Sequence, residues 1–192
     1  YTITYMNLGS EYTAQTVLYG EEIVLPAEPT REGYTFTGWG DEALTVMPGE
    51  ALTVKAVWEV EKYVINFNTN GGSDVAAITA QYGDAVAKPA NPTKEGHSFV
   101  QWNDAEGNAY TIQPIMPDLG ENNATITLTA QWNVVAYTVT FYAADGYTVF
   151  ASAEVNYGAN IADVVPAGLP EKTHYIALGK EFVQIHFLYT RR

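Results

Sequence analysis

Three histidines, four serines and a surplus of carboxylates are the side chains of this 192-residue sequence that could do chemistry. His97, His174 and His186 lie far apart and show no metal-ligand spacing, so no metal site is expected from them. Asp104, Glu106 and Asn108 alternate oxygen donors as a calcium loop does. The glycine position of such a loop is Ala109 and its closing acid is Ile115, which excludes an EF-hand and leaves a looser surface calcium site as the alternative. Ser10, Ser73, Ser98 and Ser152 all fall outside a Gly-x-Ser-x-Gly turn, and Gly179-Lys180 lacks the upstream glycine of a phosphate loop. Glu21, Glu22, Asp41 and Glu42 leave a glycosidase pair open on composition, but nothing repeated in the chain resembles a cleft around one. The chain has no cysteine, which removes thiolate catalysis, cysteine metal sites and disulfide staples together. No catalytic, metal or cofactor-binding residue emerges, and the expectation is a protein that is not an enzyme.

Charge narrows the partners. A net charge of −13 argues against nucleic acid and anionic membranes, which need clustered Lys and Arg. The acids are uneven: residues 1–61 carry ten against two bases. That pattern suits a solvated surface, or a face that attracts a cationic partner. No apolar run is long enough to cross a bilayer. The sequence opens on Tyr1 without a basic and apolar leader, and so reads as a mature or excised segment.

The elements that hold these side chains recur. "YTITYMN" at Tyr1, "YVINFNTNGG" at Tyr63 and "YTVTFYAADG" at Tyr137 each alternate aromatic and aliphatic residues at every second position, the mark of a half-buried strand. A Tyr-Gly pair follows in each: Tyr19-Gly20, Tyr82-Gly83 and Tyr157-Gly158. Two copies then carry a longer motif, "PTREGYTFTGW" from Pro29 to Trp39 and "PTKEGHSFVQW" from Pro92 to Trp102, and close on strands ending at Trp58 and Trp132. The second copy has eleven extra residues, in a Gly-, Pro-, Asp- and Asn-rich stretch that reads as a surface loop at about 103–123. It contains a formal glycosylation sequon at Asn123. In the third copy "EKTHYIALGKEF" replaces the motif, as fits a capping terminal repeat or one diverged to another role. "LPEKT" at Leu169–Thr173 reads as a turn.

Within the motif, Pro29 and Pro92 fix φ and remove donors, so neither stretch can be a central strand. Gly33 and Gly96 sit where a turn calls for positive φ. Tyr34, Phe36 and Trp39 open the next strand, as Phe99 and Trp102 do in the second copy. The tryptophans are expected to anchor small cores with their N–H groups paired, an exposed sugar-stacking platform being the alternative. "GEEIVLP", "GDAVAKP" and "GANIADVVP" each suggest a short helix, clearest where Asn160 can cap and Ile161, Val164 and Val165 share a face before Pro166. Each unit then reads strand, strand, short helix, strand, strand. The joints "WEVEKY" and "WNVVAY" leave four residues between Trp and Tyr, able to span only ~13–14 Å, with no glycine or proline. Domains are therefore expected at 1–61, 62–135 and 136–192, in a stiff, extended array.

The order Tyr-Gly, two prolines, "REGYTFTGW" and a closing "AVW" resembles the internalin B repeat, or Listeria–Bacteroides repeat. The resemblance covers residues 1–60 and 63–134, and over 137–192 rests on the opening strand and Tyr157-Gly158. It implies tandem β-grasp, ubiquitin-like domains on an extracellular bacterial cell-surface protein. The role expected is a monomeric, non-catalytic spacer or stalk with a part in adhesion, carrying neighbouring domains of a longer protein. The alternative is a binding module for a host protein or surface glycan, through the 103–123 insertion or an edge strand. An enzyme would need a pocket built between copies.

Overall fold

The computed structural model describes residues 1–40, 45–143, 145 and 147–168, with the backbone of two further strands at 176–178 and 181–183. Leu169–Thr173, His174 and His186 lie outside the described residues. The chain packs as two compact units. One comprises Tyr1–Asn68, Val75–Ala90 and Asn103–Thr129; the other comprises Thr69–Asp74, Asn91–Trp102 and Ala130–Arg192.

The architecture is mostly β, in three sheets. The first holds β1 (Thr2–Asn7), β2 (Ser10–Thr16), β3 (Tyr34–Trp39) and β4 (Leu52–Val60), in the order β2-β1-β4-β3. Strands β1 and β2 form a hairpin over Leu8 and Gly9, both at positive φ (51° and 87°). Two such residues give the loop the twist of its flanking strands. The central pair, β1 and β4, runs parallel, which a hairpin cannot achieve and which requires the long crossover through residues 17–51. The second sheet repeats this plan: β5 (Lys62–Asn68), β6 (Ile78–Gln81), β7 (His97–Asn103), β8 (Ala109–Tyr110) and β9 (Thr125–Val134), in the order β6-β5-β9-β7-β8 with β5 parallel to β9. The third departs from it. Its strands β10 (Ala136–Tyr142), β11 (Val149–Asn156), β12 (Ile176–Leu178) and β13 (Glu181–Val183) order as β11-β10-β12-β13, and the central β10 and β12 are antiparallel.

The alternating segments become the strands expected of them. Ile3 and Tyr5 of β1 are fully buried, as are Tyr63 and, nearly so, Ile65 of β5, and Val139 and Phe141 of β10. Tyr1 is half exposed, and Phe67 and Tyr137 are half-buried. In the first core Ile3, Tyr5, Ile23, Trp39 and Met47 pack with Val17, Phe36, Leu52, Val54 and Ala56. A bulge shapes that core. Phe36 faces Trp58 and Gly38 faces Val57, so Thr37 has no partner of its own. Residues three apart on a regular strand point to opposite faces. The extra residue, with Gly38 at φ +147°, brings Phe36 and Trp39 to one side, their centroids 5.3 Å apart.

The short helix is corrected in two copies. Residues 21–30 and 84–93 contain no helix. A helix of one turn must fix several residues for its first hydrogen bond, and here the backbone has a better partner. Met47 N–H donates to Glu21 O (2.9 Å) and Ile23 N–H to Thr45 O (3.0 Å); Met116 N–H donates to Asp84 O and Val86 N–H to Pro114 O, both at 2.8 Å. In the third copy a 3₁₀ turn does form at Ile161–Val164, with Asn160 accepting from Ala162 N–H at 3.0 Å. Ile161 and Val164 pack on the core formed by Val139, Phe141 and Val155, whereas Val165 is exposed.

Met47 and Met116, both buried to 1% exposure, are core residues that the strand pattern does not reveal. Each precedes a proline, and their carbonyls accept the N–H of Gly20 and Gly83 at 2.9 and 3.0 Å. Truncating either, by Met47→Ala or Met116→Ala, is expected to cost about 2–5 kcal/mol, read from urea unfolding.

Candidate functional site

The site that the repeated residues build lies where one copy meets the next. Arg31 to Tyr34 form a turn closed by Tyr34 N–H to Arg31 O (3.1 Å), with Gly33 at φ +70°. The Gly33 carbonyl accepts the Glu61 N–H at 3.0 Å, and the Glu61 carbonyl accepts the Tyr82 N–H at 2.9 Å. The Tyr82 ring covers Gly33 so closely that a methyl group there would overlap it. The ring meets Tyr34 edge-on at 6.0 Å. Burial, then the Glu32 charge and a hydrogen bond to the Glu32 carboxylate, push the Tyr82 phenol up.

Every part recurs at the next joint. The turn Lys94–His97 closes at 3.1 Å with Gly96 at φ +66°. Gly96 O accepts Val135 N–H at 2.8 Å, and Val135 O accepts Tyr157 N–H at 2.9 Å. The Tyr157 ring covers Gly96 and meets His97 edge-on at 6.2 Å. A hydrogen bond to Glu95, with burial second, pushes its phenol up. So the Glu-Gly-aromatic turn of one copy is a socket, and the tyrosine of the next copy's Tyr-Gly pair is the plug. Sequence reasoning assigns both motifs to folding within a copy. The signal that separates them is a count: three Tyr-Gly pairs but two Glu-Gly-aromatic turns.

The first joint has additions that the second lacks. Glu61 is buried, and accepts from Thr35 Oγ1 at 3.0 Å and from the Tyr63 hydroxyl at 2.5 Å. That hydroxyl also lies 3.0 Å from Asp118 Oδ1 and 3.3 Å from Gly120 O. Burial and the two carboxylates push the Tyr63 phenol far up. Asp118 belongs to the insertion, as does Asn122, whose Oδ1 accepts the Lys62 N–H at 3.0 Å. The insertion is therefore split. Six of its extra residues precede the Met116 position, and Asp104 there accepts from Asn108 N–H (2.8 Å), closing its own exposed turn. The other five follow Met116 and brace the joint. The oxygen alternation that suggested calcium is this turn, and among the described residues no group of three His, Asp or Glu side chains could hold a metal.

Backbone donation from Gly120, then bonds from Tyr63 and the Gly33 N–H, hold the Asp118 carboxyl below its usual range. A depressed folded pKa means stability that is present above the unfolded value and lost as pH falls through the folded one. The first joint should thus weaken in acid, and Asp118→Asn should flatten that dependence. Urea midpoints at about pH 6 and about pH 3 measure it.

The four tryptophans divide in pairs. Trp39 and Trp102 are buried to 4% exposure, while Trp58 and Trp132 are half-buried. Phe36 lies 5.6 Å from Trp58, and Phe99 lies 5.6 Å from Trp132. The half-buried indoles bond Asn7 Oδ1 (3.3 Å) and Thr69 O (3.0 Å). Trp39 Nε1, expected to find an acceptor, has none among the described residues. Pro29 and Pro92 are buried, and His97 Nδ1 lies 2.8 Å from Glu95 O, which ties the ring to its own turn.

Two mixed sheets of one plan, each followed by the same turn and tyrosine, mark a tandem-repeat protein. The Listeria-Bacteroides repeat domain model matches residues 1–53 and 63–131, and the chain belongs to that family. It is 34% identical over 148 residues to a protein of Evansella cellulosilytica that carries a provisional membrane-protein name, covering 72% of this chain and 22% of that protein. It is 34% identical over 109 residues to Internalin H of Listeria monocytogenes, covering 52% of this chain and 20% of that protein. The chain thus spans about a fifth of the length of these relatives. Among solved structures, Streptococcal High Identity Repeats in Tandem domains 3-4 from a cell surface protein align at 18% identity and a TM-score of 0.24, over 70% of this chain and 99% of theirs. Among the described residues no helix is long and apolar enough to cross a membrane.

Proposed function

We propose that the chain is a non-catalytic repeat array of the bacterial cell surface, in which domains 1–61, 62–135 and 136–192 act as a stiff spacer for other regions of a longer protein. The observation that carries this is the duplicated joint: the same turn, carbonyl relay and tyrosine at Gly33, Glu61 and Tyr82 and again at Gly96, Val135 and Tyr157. Residues that fix neighbours twice, with no further polar cluster duplicated beside them among the described residues, suit mechanical spacing better than chemistry. The parallel central pair of the first two sheets supports a β-grasp reading of those copies, with an extended crossover in place of the helix. Inserting Gly/Ser residues at 59–62 tests the role. The expected result is poorer presentation of the distal region on cells; presentation equal to the parent would contradict it.

A second reading, adhesion to a host protein or surface glycan, is favoured by one feature. The Asn103–Asn108 turn, exposed from Ala105 to Asn108, is closed by hydrogen bonds within itself. Deleting those six residues should abolish attachment while the fold stays, and attachment at the parent's level would sink this reading.

A further inference from the structure

We propose that Tyr1, Leu18 and Tyr19 form an open docking face for a further repeat, whose occupant is a Glu-Gly-aromatic turn like Glu32-Gly33-Tyr34. The inference rests on the spacer reading and its joints. In the second copy, the counterparts of Tyr1 and Tyr19 are Tyr63 and Tyr82. Tyr63 is fully buried and Tyr82 half-buried, both at the joint with the first copy. In the third copy Tyr157 takes up the socket at Gly96 and keeps 41% of its surface exposed, well below Tyr19. In the first copy the same positions are uncovered: Tyr1 is 51% exposed, Leu18 66% and Tyr19 74%. Large apolar side chains on a surface mark an interaction site, and here the molecule twice shows a Glu-Gly-aromatic turn seated on the tyrosine equivalent to Tyr19. Tyr19 is also already placed for it. Its ring packs within about 4 Å of where a Gly49 side chain would begin, with the Tyr1 hydroxyl beside it. The Gly20 position next to it, at φ +78°, has open space around it as Gly83 and Gly158 do. The face is apolar with a phenol at its centre. A partner must therefore bring a bare glycine to receive the ring and a carboxylate to accept the hydroxyl proton, as Gly33 with Glu32 and Gly96 with Glu95 do.

The test is to place a second copy of residues 1–62 directly before Tyr1 of the full chain, so that Tyr1 follows Glu-Lys as Tyr63 does. Nitration by tetranitromethane, followed peptide by peptide, reads each tyrosine. In the parent chain Tyr19 should react fast and Tyr82 slowly. In the extended chain Tyr19 should slow on the order of tenfold, to the rate of Tyr82, as an amphipathic ring removed from solvent must. Gly33→Ala confined to the added copy should return Tyr19 to the fast rate. If that variant fails to fold, a Gly/Ser insert between the added copy and Tyr1 leaves both copies intact and should do the same. Unchanged fast nitration of Tyr19 in the extended chain, with Tyr82 still slow, would overturn this inference and leave the joints standing. Fast nitration of Tyr82 as well would overturn both.

Discussion

Gly33→Ala and Gly96→Ala should each loosen one joint by about 2–5 kcal/mol. Two separate costs combine. At φ +70° and +66° an L side chain sits in the left-handed region, which costs roughly 1–2 kcal/mol. The new methyl also overlaps the ring of Tyr82 or Tyr157, and forced overpacking costs about 1–3 kcal/mol. Gly83→Ala is the control that separates them. It has the same strain at φ +82°, but nothing lies within 4 Å of its Cβ position, so only the strain, about 1–2 kcal/mol, is expected. Denaturant unfolding of the three variants checks the order. If Gly83→Ala costs as much as Gly33→Ala, the tyrosine does not seat on the glycine and the socket description fails.

The other large effect is at Trp39. Its ring meets Tyr5 at 4.9 Å, Phe36 at 5.3 Å and Tyr12 at 5.5 Å, and it closes a core of few residues. Trp39→Ala should cost about 3–5 kcal/mol, a large share of what a domain of this size has to lose. Trp58→Ala should cost clearly less, because that ring is half-buried and much of its surface stays in water in either state. Equal losses, measured by fluorescence-monitored unfolding, would show that the cores are not organised around Trp39.

Much of the fold is legible in the amino-acid pattern alone. The period-two alternation locates β1, β5 and β10, and "YTFTGW" is β3 residue for residue. What the sequence hides is mostly long-range. The helical reading of residues 20–26 fails because Glu21, Glu22 and Ile23 pair with Thr45 to Met47, some twenty residues on, and no local propensity reports such a partner. Only where Asn160 supplies a cap does a helical turn survive. Met47 and Met116 stand in irregular segments, where periodicity says nothing about burial; the shared Met-Pro is the available clue. The joint is hidden for another reason. A motif that recurs from copy to copy looks like a rule for folding one copy, and its halves sit 49 residues apart at Gly33 and Tyr82 and 61 apart at Gly96 and Tyr157. The family resemblance supplies a mostly-β repeat without the helix's fate or the joint's partners.

The most direct measurement is amide hydrogen exchange at Tyr82 and Tyr157 in the full chain. Each N–H donates across a joint, to Glu61 O and Val135 O. If the joints hold neighbours as described, both amides exchange slowly, through openings as costly as those of the strands beside them, and Gly33→Ala speeds Tyr82 while leaving Tyr157 unchanged. Exchange of both at the rate of exposed loop amides would contradict the account, since a carbonyl relay that opens freely cannot stiffen an array.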